Sequence, residues 1–157
     1  MTQDRLADEI AEDLLYRTGK AMSADVFDWV CECFDLPQIV ETLDGKSLIE
    51  TEDDLLRIFR NLRQYYAKHN VTDVARTVVT AEFIDAETIG MTHAAQLMRP
   101  GGEVFRAPYP VYSILRKFGE VWKIAGCSYA ILDAPEHNRA LIGRPNDEES
   151  DAAPETP

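Results

Sequence analysis

The stretch from Tyr109 to Leu132, YPVYSILRKFGEVWKIAGCSYAIL, decides the fold that we predict for this chain. β-Branched and aromatic residues fill both of its halves, and Gly119-Glu120 lies between them. A Gly-X pair between two such runs is typical of a β-hairpin turn. We therefore predict two antiparallel strands. The predicted pairs are Phe118 with Val121, Leu115 with Ile124, Ile114 with Ala125, and Tyr112 with Cys127.

Alternation along the two strands divides their residues between two faces of a sheet. Neither face is polar, so we expect both to be covered. The face that we assign to the interior carries Tyr112, Ile114, Phe118, Val121, Ala125, Cys127 and Tyr129. The face that we assign to the outside carries the apolar strip Val111, Leu115, Trp122 and Ile124. A strip of this kind is unusual on a monomer, so we expect it to form a homodimer interface.

Length and charge limit the classes of protein to which the chain can belong. A chain of 157 residues is long enough for one domain with its own core. We place that domain at residues 1–142 and expect an acidic, disordered tail at 143–157. The net charge of −12 argues against nucleic acid as a partner and against an anionic membrane surface, since both attract basic proteins.

Several patterns are missing from the sequence, and each absence carries an expectation. No apolar run approaches the roughly 20 residues that span a bilayer, and the first residues have no signal-peptide core. The odd cysteine count makes a disulfide framework unexpected, so we predict a reduced, cytoplasmic protein. Cys31 and Cys33 point in different directions on a helix and cannot share a metal. With no phosphate loop or dinucleotide motif, we expect no cofactor.

The remaining periodicities predict three helices followed by a run of strands. A stripe of Leu6, Ile10 and Leu14 predicts a first helix over residues 3–17, ended by Gly19. We predict a second helix over residues 24–34 and a short strand over 38–43. A third helix begins at Thr51, which forms a capping-box pattern with Asp54. Strands follow over 74–84, 88–98 and from 103 onward, and the chain loses its periodicity after Asp133. This order predicts the α+β class, with a curved antiparallel sheet wrapped around the helices.

The chain resembles the nuclear-transport-factor-2-like superfamily, which includes ketosteroid isomerases, scytalone dehydratase and polyketide cyclases. The features that carry the resemblance are Ala24-Asp25 at the start of a helix, extended Ile39-Val40-Glu41 before Asp44-Gly45, the Thr51-capped helix, and the closing GEVWKI of residues 119–124. It covers roughly residues 5–132 and depends on the order of elements more than on any one motif. The resemblance implies a conical pocket inside the curved sheet and often a dimer.

The resemblance also suggests three catalytic candidates, each with an ordinary structural alternative. Glu41 lies where isomerases of the family place a carboxylate base, or it is a solvated strand residue. Tyr16 lies near the position of their oxyanion-hole tyrosine, or it is a half-buried core tyrosine. Their second oxyanion donor corresponds to Ile114, or to Ser113 in a shifted register, and isoleucine cannot donate a hydrogen bond. His93 alternates with apolar residues and is either a pocket base or a structural histidine.

Two functions remain open at this point. The first is a homodimeric module that binds a small apolar organic molecule in its pocket. The second is a cofactor-independent lyase, isomerase or cyclase that uses Glu41 or His93 as its base. The predicted ligand-binding residues are Phe59, Tyr112, Ile114, Ala125, Cys127 and Tyr129. An enzyme should bring at least two titratable groups together around one ligand position, and a binding module need not.

Overall fold

The structure of the protein is a computed structural model, and it describes residues 3–143. Its helices are α1 (Gln3–Ala24), α2 (Phe27–Cys33), α3 (Glu52–Lys68) and α4 (Pro135–Leu141). Its strands are β1 (Gln38–Thr42), β2 (Gly45–Ile49), β3 (Asp73–Asp85), β4 (Thr88–Arg99), β5 (Glu103–Val104), β6 (Tyr109–Phe118) and β7 (Val121–Tyr129). The acidic tail that we predict from the sequence lies outside the described residues, apart from Gly143.

The N-terminal half shows how local sequence determines the helix ends. The capping box at α3 is confirmed, because Thr51 Oγ1 accepts a hydrogen bond from the Asp54 backbone N–H at 3.1 Å and the Asp54 carboxylate accepts one from the Thr51 N–H at 3.2 Å. The prediction that α1 ends at Gly19 is wrong. The helix continues to Ala24 and is followed by Asp25 in the left-handed region at φ 59°. Tertiary packing of α1 on the sheet therefore overrides the weak helix propensity of glycine.

The sheet has the strand order β2-β1-β7-β6-β4-β3, with β5 paired to β4. It is curved, does not close into a barrel, and has helices packed against it, so the predicted α+β class is confirmed. The sheet is mixed and not purely antiparallel, because β1 runs parallel to β7, with Val40 opposite Cys127. The chain returns to this strand only after α3 and the long β3–β6 meander, which allows the parallel pairing.

The closing hairpin begins in the predicted register and then departs from it. Phe118 pairs with Val121 and Leu115 with Ile124, as predicted, but Ile114 pairs with Gly126. Ala125 is thus the extra residue of a β-bulge, and every pair beyond it is shifted by one residue. Tyr112 consequently lies opposite Ser128 and not Cys127. The alternation of apolar residues did not reveal the bulge, because both faces of the hairpin are apolar.

Our assignment of the two hairpin faces is wrong for most of their residues. Val111 and Leu115 are 1% and 0% exposed, and Ile124 is also buried. Leu115 and Ile124 belong to a core cluster with Ala7, Ala11 and Leu14 of α1. Trp122 is half-buried, and its ring lies 6.1 Å from that of Phe83. The predicted dimer strip is therefore core, because α1 covers this face of the sheet.

The residues after Asp133 also differ from the prediction, since α4 follows directly. Its buried residues are His137, Asn138, Ala140 and Leu141. Asn138 Nδ2 donates to Asp44 Oδ2 at 2.7 Å and to the Ile131 carbonyl at 3.1 Å, which ties α4 to the β1–β2 turn. A helix of two turns is too short to show the apolar period that predicts longer helices.

Candidate functional site

The inner, concave face of the sheet faces the helices, and the strand registers arrange its residues in rows. Residues directly opposite one another on neighbouring strands share a face. The three central rows of this face are Arg76–Ala95–Tyr109, Val78–His93–Val111–Tyr129 and Ala81–Met91–Ser113–Cys127. The outer rows are largely apolar, for example Phe83–Ile89–Leu115–Ile124. The middle of the concave face is therefore where polar groups accumulate.

Arg76 brings a positive charge into this interior. Its Nη2 donates a hydrogen bond of 2.7 Å to the carbonyl of Leu15 on α1. The same nitrogen lies so close to Gly19 that a Cβ atom there would be only 2.9 Å away. Burial lowers the pKa of Arg76, and the nearby phenols of Tyr129, Tyr66 and Tyr109 act in the opposite direction. No carboxylate among the described residues forms an ion pair with Arg76.

His93 lies in the adjoining row and is buried. Its Nδ1 has no hydrogen-bond partner among the described residues. Burial, assisted by the positive charge of Arg76, lowers the pKa of His93 to about 4. The ring is therefore neutral at pH 7, with one nitrogen lone pair available to accept a hydrogen bond.

The other polar groups around Arg76 are protonated donors. Burial raises the pKa of Tyr66 to about 12 and raises those of Tyr109 and Tyr129 as well. Burial also raises the pKa of the Cys127 thiol, which accepts a hydrogen bond from Ser113 Oγ at 3.7 Å. A protonated, buried thiol is a poor nucleophile, so the cluster is not built for thiolate chemistry. We define the Arg76 cluster as Tyr66, Arg76, His93, Tyr109, Cys127 and Tyr129.

Part of the Arg76 cluster is accessible to solvent although it faces the interior. Tyr66, Arg76 and Tyr129 are half-buried, whereas His93, Tyr109 and Cys127 are buried. Gly19 of α1 and Val78 of β3 are also only half-buried. Solvent therefore reaches part of the cluster on the side where α1 packs on the edge strand β3.

A second buried group adjoins the cluster at Tyr109. The ring of His137 lies 5.7 Å from that of Tyr109 and stacks on Tyr65 at 4.7 Å. His137 is fully buried, and neither of its ring nitrogens has a hydrogen-bond partner among the described residues. Burial, together with the positive charge of Arg106, lowers the pKa of His137 to about 4. This histidine is packed as an aromatic ring between α3 and α4.

Comparison with solved structures identifies the fold that these helices and strands form. A nuclear-transport-factor-2-like protein of unknown function from Shewanella oneidensis is 10% identical and superposes with a TM-score of 0.59, covering 78% of this chain and 98% of its own. Two Nostoc punctiforme proteins with a cystatin-like fold, a domain and a protein both of unknown function, superpose with TM-scores of 0.61 and 0.63 at 16% and 11% identity. They cover 79% and 85% of this chain and 76% and 97% of their own. This chain has the nuclear-transport-factor-2-like fold.

At these identities the likeness shows the fold alone. No protein-family model matches the sequence, and no curated protein matches it either. Within residues 3–143, no group of three or more His, Cys, Asp or Glu side chains could hold a metal ion. None of the helices in that range is both long and apolar enough to cross a bilayer.

The nuclear-transport-factor-2-like fold brings only one of the three catalytic candidates into its interior. His93 lies on the concave face. Glu41 lies on the opposite, convex face, where it is exposed and accepts a hydrogen bond of 3.4 Å from Ser128 Oγ. Tyr16 is 64% exposed, with Lys20 Nζ 5.7 Å from its ring centre. Glu41 and Tyr16 therefore cannot act together with His93 on one ligand.

The predicted ligand-binding residues also divide between the faces of the fold. Cys127 and Tyr129 lie inside, in the Arg76 cluster. Tyr112 and Ile114 lie on the convex face because of the reversed assignment, and Ala125 is the bulged residue. Phe59 is a core residue of α3, with its ring 5.6 Å from that of Phe27.

Sequence reasoning missed Arg76, the residue that most distinguishes this interior. The signal was present, because Arg76 alternates with Val74 and Val78 along a predicted strand. A charged residue at an inward-facing position of a strand is unusual and indicates either a buried ion pair or a ligand site. Tyr66, Tyr109 and His137 gave no such signal, since aromatic residues are ordinary in a core.

Proposed function

We propose that the protein binds a small organic molecule in the interior between α1, α3 and the concave face of the sheet, next to the Arg76 cluster. The observation that carries this proposal is the partial solvent access of Tyr66, Arg76 and Tyr129, which all face inward. Two half-buried apolar side chains, Val74 and Val78, flank Arg76 on the same face of β3. A concave site with apolar walls and a few convergent polar groups is the usual form of a small-molecule site.

The alternative is a cofactor-independent lyase, isomerase or cyclase, and one observation favours it. His93 is neutral, its Nδ1 has no partner, and it lies next to a cation that could stabilise a developing negative charge. Against it, a histidine whose pKa is lowered to about 4 is a weak base at neutral pH. Binding is therefore the function that we put forward.

A large side chain at Gly19, next to Arg76, should abolish binding of a small aromatic molecule at the Arg76 cluster. In the wild-type protein, a ligand present at about ten times its dissociation constant stabilises the fold by about 1.4 kcal/mol. That corresponds to a rise of about 3–6 °C in melting temperature for a domain of this size. Gly19→Leu places a side chain against Arg76 Nη2 and should remove the shift.

The measurement is a thermal-shift screen of single-ring aromatic fragments on the two proteins. Lys20→Leu is the matched control, because it introduces the same side chain at the next, exposed position of α1. A fragment that stabilises the wild type and Gly19→Leu equally binds somewhere else. A screen in which no fragment stabilises the wild type would remove the support for an interior site.

We also propose that the protein forms a homodimer, through the convex face of the sheet. With the hairpin faces reversed, Tyr112 is 45% exposed on that face, beside half-buried Ile114. Its ring lies over Gly90 of β4, next to Ile84. Ile39 of β1 adds a further exposed apolar side chain on the same side. A patch of this kind is a candidate self-association surface.

Tyr112→Arg should convert a dimer into a monomer, because it places a charge at the centre of the apolar patch. Light scattering at micromolar concentration should return twice the 17.7 kDa chain mass for the wild type and the chain mass for the variant. Val104→Arg is the control, since Val104 is 47% exposed but lies on β5, away from the patch. A monomeric wild type would refute the homodimer.

A further inference from the structure

We propose that the molecule bound at the Arg76 cluster is a monocarboxylate, whose carboxylate group pairs with the Arg76 guanidinium. This inference rests on the proposed function, since it concerns the chemistry of the same site. It starts from the hydrogen-bonding capacity of Arg76. A guanidinium has five N–H donors, and the bond to the Leu15 carbonyl occupies one of them.

The charge of Arg76 has no counterpart in the part of the chain that the structure describes. No described carboxylate forms an ion pair with Arg76, although the protein as a whole carries a net charge of −12. Taking a cation out of water is unfavourable unless an opposite charge compensates for it. A site for an anionic ligand requires a positive charge that no protein carboxylate neutralises. Arg76 meets this requirement among the described residues.

The neighbours of Arg76 are suited to an oxyanion as well. The phenol of Tyr66 lies close enough to Arg76 for each to affect the pKa of the other, and a phenol hydroxyl group can donate a hydrogen bond to a carboxylate oxygen. The hydroxyl group of Tyr129 already donates to Cys127. His93 Nδ1 is buried and without a partner, so the site holds at least one polar atom that the described residues leave unsatisfied. In its neutral form the ring presents either an N–H donor or a lone pair at this position.

The number of positive charges selects among anions. Arg76 is the one guanidinium on the three central rows of the concave face, and His93 is neutral at pH 7. One cation balances a monoanion, whereas a phosphate monoester brings close to two negative charges at that pH. The planar fork of a guanidinium also matches the two oxygens of a carboxylate. The apolar walls at Val74 and Val78 would then hold the organic part of the ligand.

The test compares benzoate with benzamide, which has the same shape without the charge. We expect the wild-type protein to bind benzoate about tenfold or more tightly than benzamide, because hydrogen bonds to charged partners are the stronger ones. Binding is measured by calorimetry or by ligand-observed NMR at pH 7. Phenyl phosphate serves as the dianionic comparison and should bind more weakly than benzoate.

Two variants test whether the preference for benzoate over benzamide comes from the Arg76 cluster. Using two keeps the test valid if one of them does not fold. Arg76→Met keeps the length of the side chain and should reduce the benzoate affinity to that of benzamide. Tyr66→Phe removes one hydroxyl group near Arg76 and should weaken benzoate binding several-fold and benzamide binding less, because a hydrogen bond to a charged acceptor is the stronger one. The melting temperature of unliganded Arg76→Met should equal or exceed that of the wild type, since the variant no longer buries an unpaired charge.

The possible outcomes separate this inference from the proposed function. If benzoate and benzamide bind equally well, and Gly19→Leu abolishes both, the interior site stands and the carboxylate inference is wrong. If phenyl phosphate binds more tightly than benzoate, the site is for a dianion and the inference is again wrong. If the wild type binds none of the three compounds at about 10 mM, a concentration above the range of ordinary specific sites, both proposals fail.

Discussion

Lowering the pH from 7 toward 4 should destabilise the protein steeply, and two buried histidines are the cause. Burial lowers the pKa of both His93 and His137 from 6.5 to about 4. Between these values the unfolded chain binds protons that the folded protein does not, so stability falls as the pH falls. Each histidine contributes about 1.4 kcal/mol per pH unit over that interval. The combined loss is comparable with the total stability of a typical domain.

The groups that surround the two rings support this direction. Arg76 acts on His93, while Arg106 and His69 act on His137, and all three lower the pKa values further. Glu136 opposes them at His137 but is the weakest of the causes there. The carboxyl groups of Asp54, Asp85 and Glu136 have lowered pKa values as well. Their contribution to stability is present above their ordinary pKa values of 3.8 to 4.5 and is lost as the pH falls below them. Most of that loss therefore occurs at lower pH than the loss caused by the histidines.

Urea unfolding at a series of pH values measures this loss, and His137→Phe isolates half of it. Phenylalanine preserves the stack on Tyr65 but cannot take up a proton. The slope of stability against pH between 6.5 and 4 should therefore fall by about half in the variant. At pH 7.5 the variant should be at least as stable as the wild type, because no buried ring nitrogen is left unpaired. A wild-type stability that stays constant between pH 7 and 4.5 would contradict the buried, neutral state of both rings.

Leu115→Ala should cost about 2–5 kcal/mol of stability, which is the usual range for a leucine removed from a well-packed core. Leu115 is fully buried between α1 and its neighbours Ile89 and Ile124 on the adjoining strands. Arg116→Ala, at the next position of β6, is the control, since Arg116 is exposed and its replacement should change stability by less than about 0.5 kcal/mol.

Chemical denaturation of the two variants tests which hairpin face is inside. The homodimer strip predicted from the sequence would place Leu115 on the outer face. There, Leu115→Ala would weaken dimer formation and leave the stability of the single chain unchanged. A loss of less than about 1 kcal/mol in the free energy of unfolding of Leu115→Ala, measured at concentrations where the chain is monomeric, would show that Leu115 lies on the surface.

The parts of the fold that depend on local sequence could be predicted, and those that depend on long-range packing could not. The Thr51–Asp54 capping box and the Gly119-Glu120 turn involve residues close in the chain, and both are confirmed. The hairpin faces were reversed because Tyr112 and Leu115 are both apolar enough to be buried. Only the position of α1 decides between them. The one-residue shift from Ile114–Ala125 to Ile114–Gly126 pairing across the bulge has the same origin, since a single inserted residue leaves no mark on composition.

The candidate site was predicted only in part. His93, Cys127 and Tyr129 were named from the sequence and do lie together inside. Arg76 joins them through β3, whose register with β4 places it beside His93 and Ala95. The residue Glu41 was drawn from a family resemblance, and the parallel pairing of β1 with β7 turns it to the convex face. Function in this fold is determined by such side-chain placements and not by the backbone.

The open sheet has a consequence for how two copies of the chain can meet. Strands β2 and β3 end the strand order, so each leaves a row of backbone N–H and C=O groups that could pair with a strand of another molecule. Repeated pairing of this kind between exposed edges is a route to aggregation. On β3 the row is interrupted at Val79, the extra residue between the Val78–His93 and Thr80–Thr92 pairs, and β2 extends for only five residues. Both features disfavour edge-to-edge addition of a strand, so the two edges of this open sheet are less prone to aggregation.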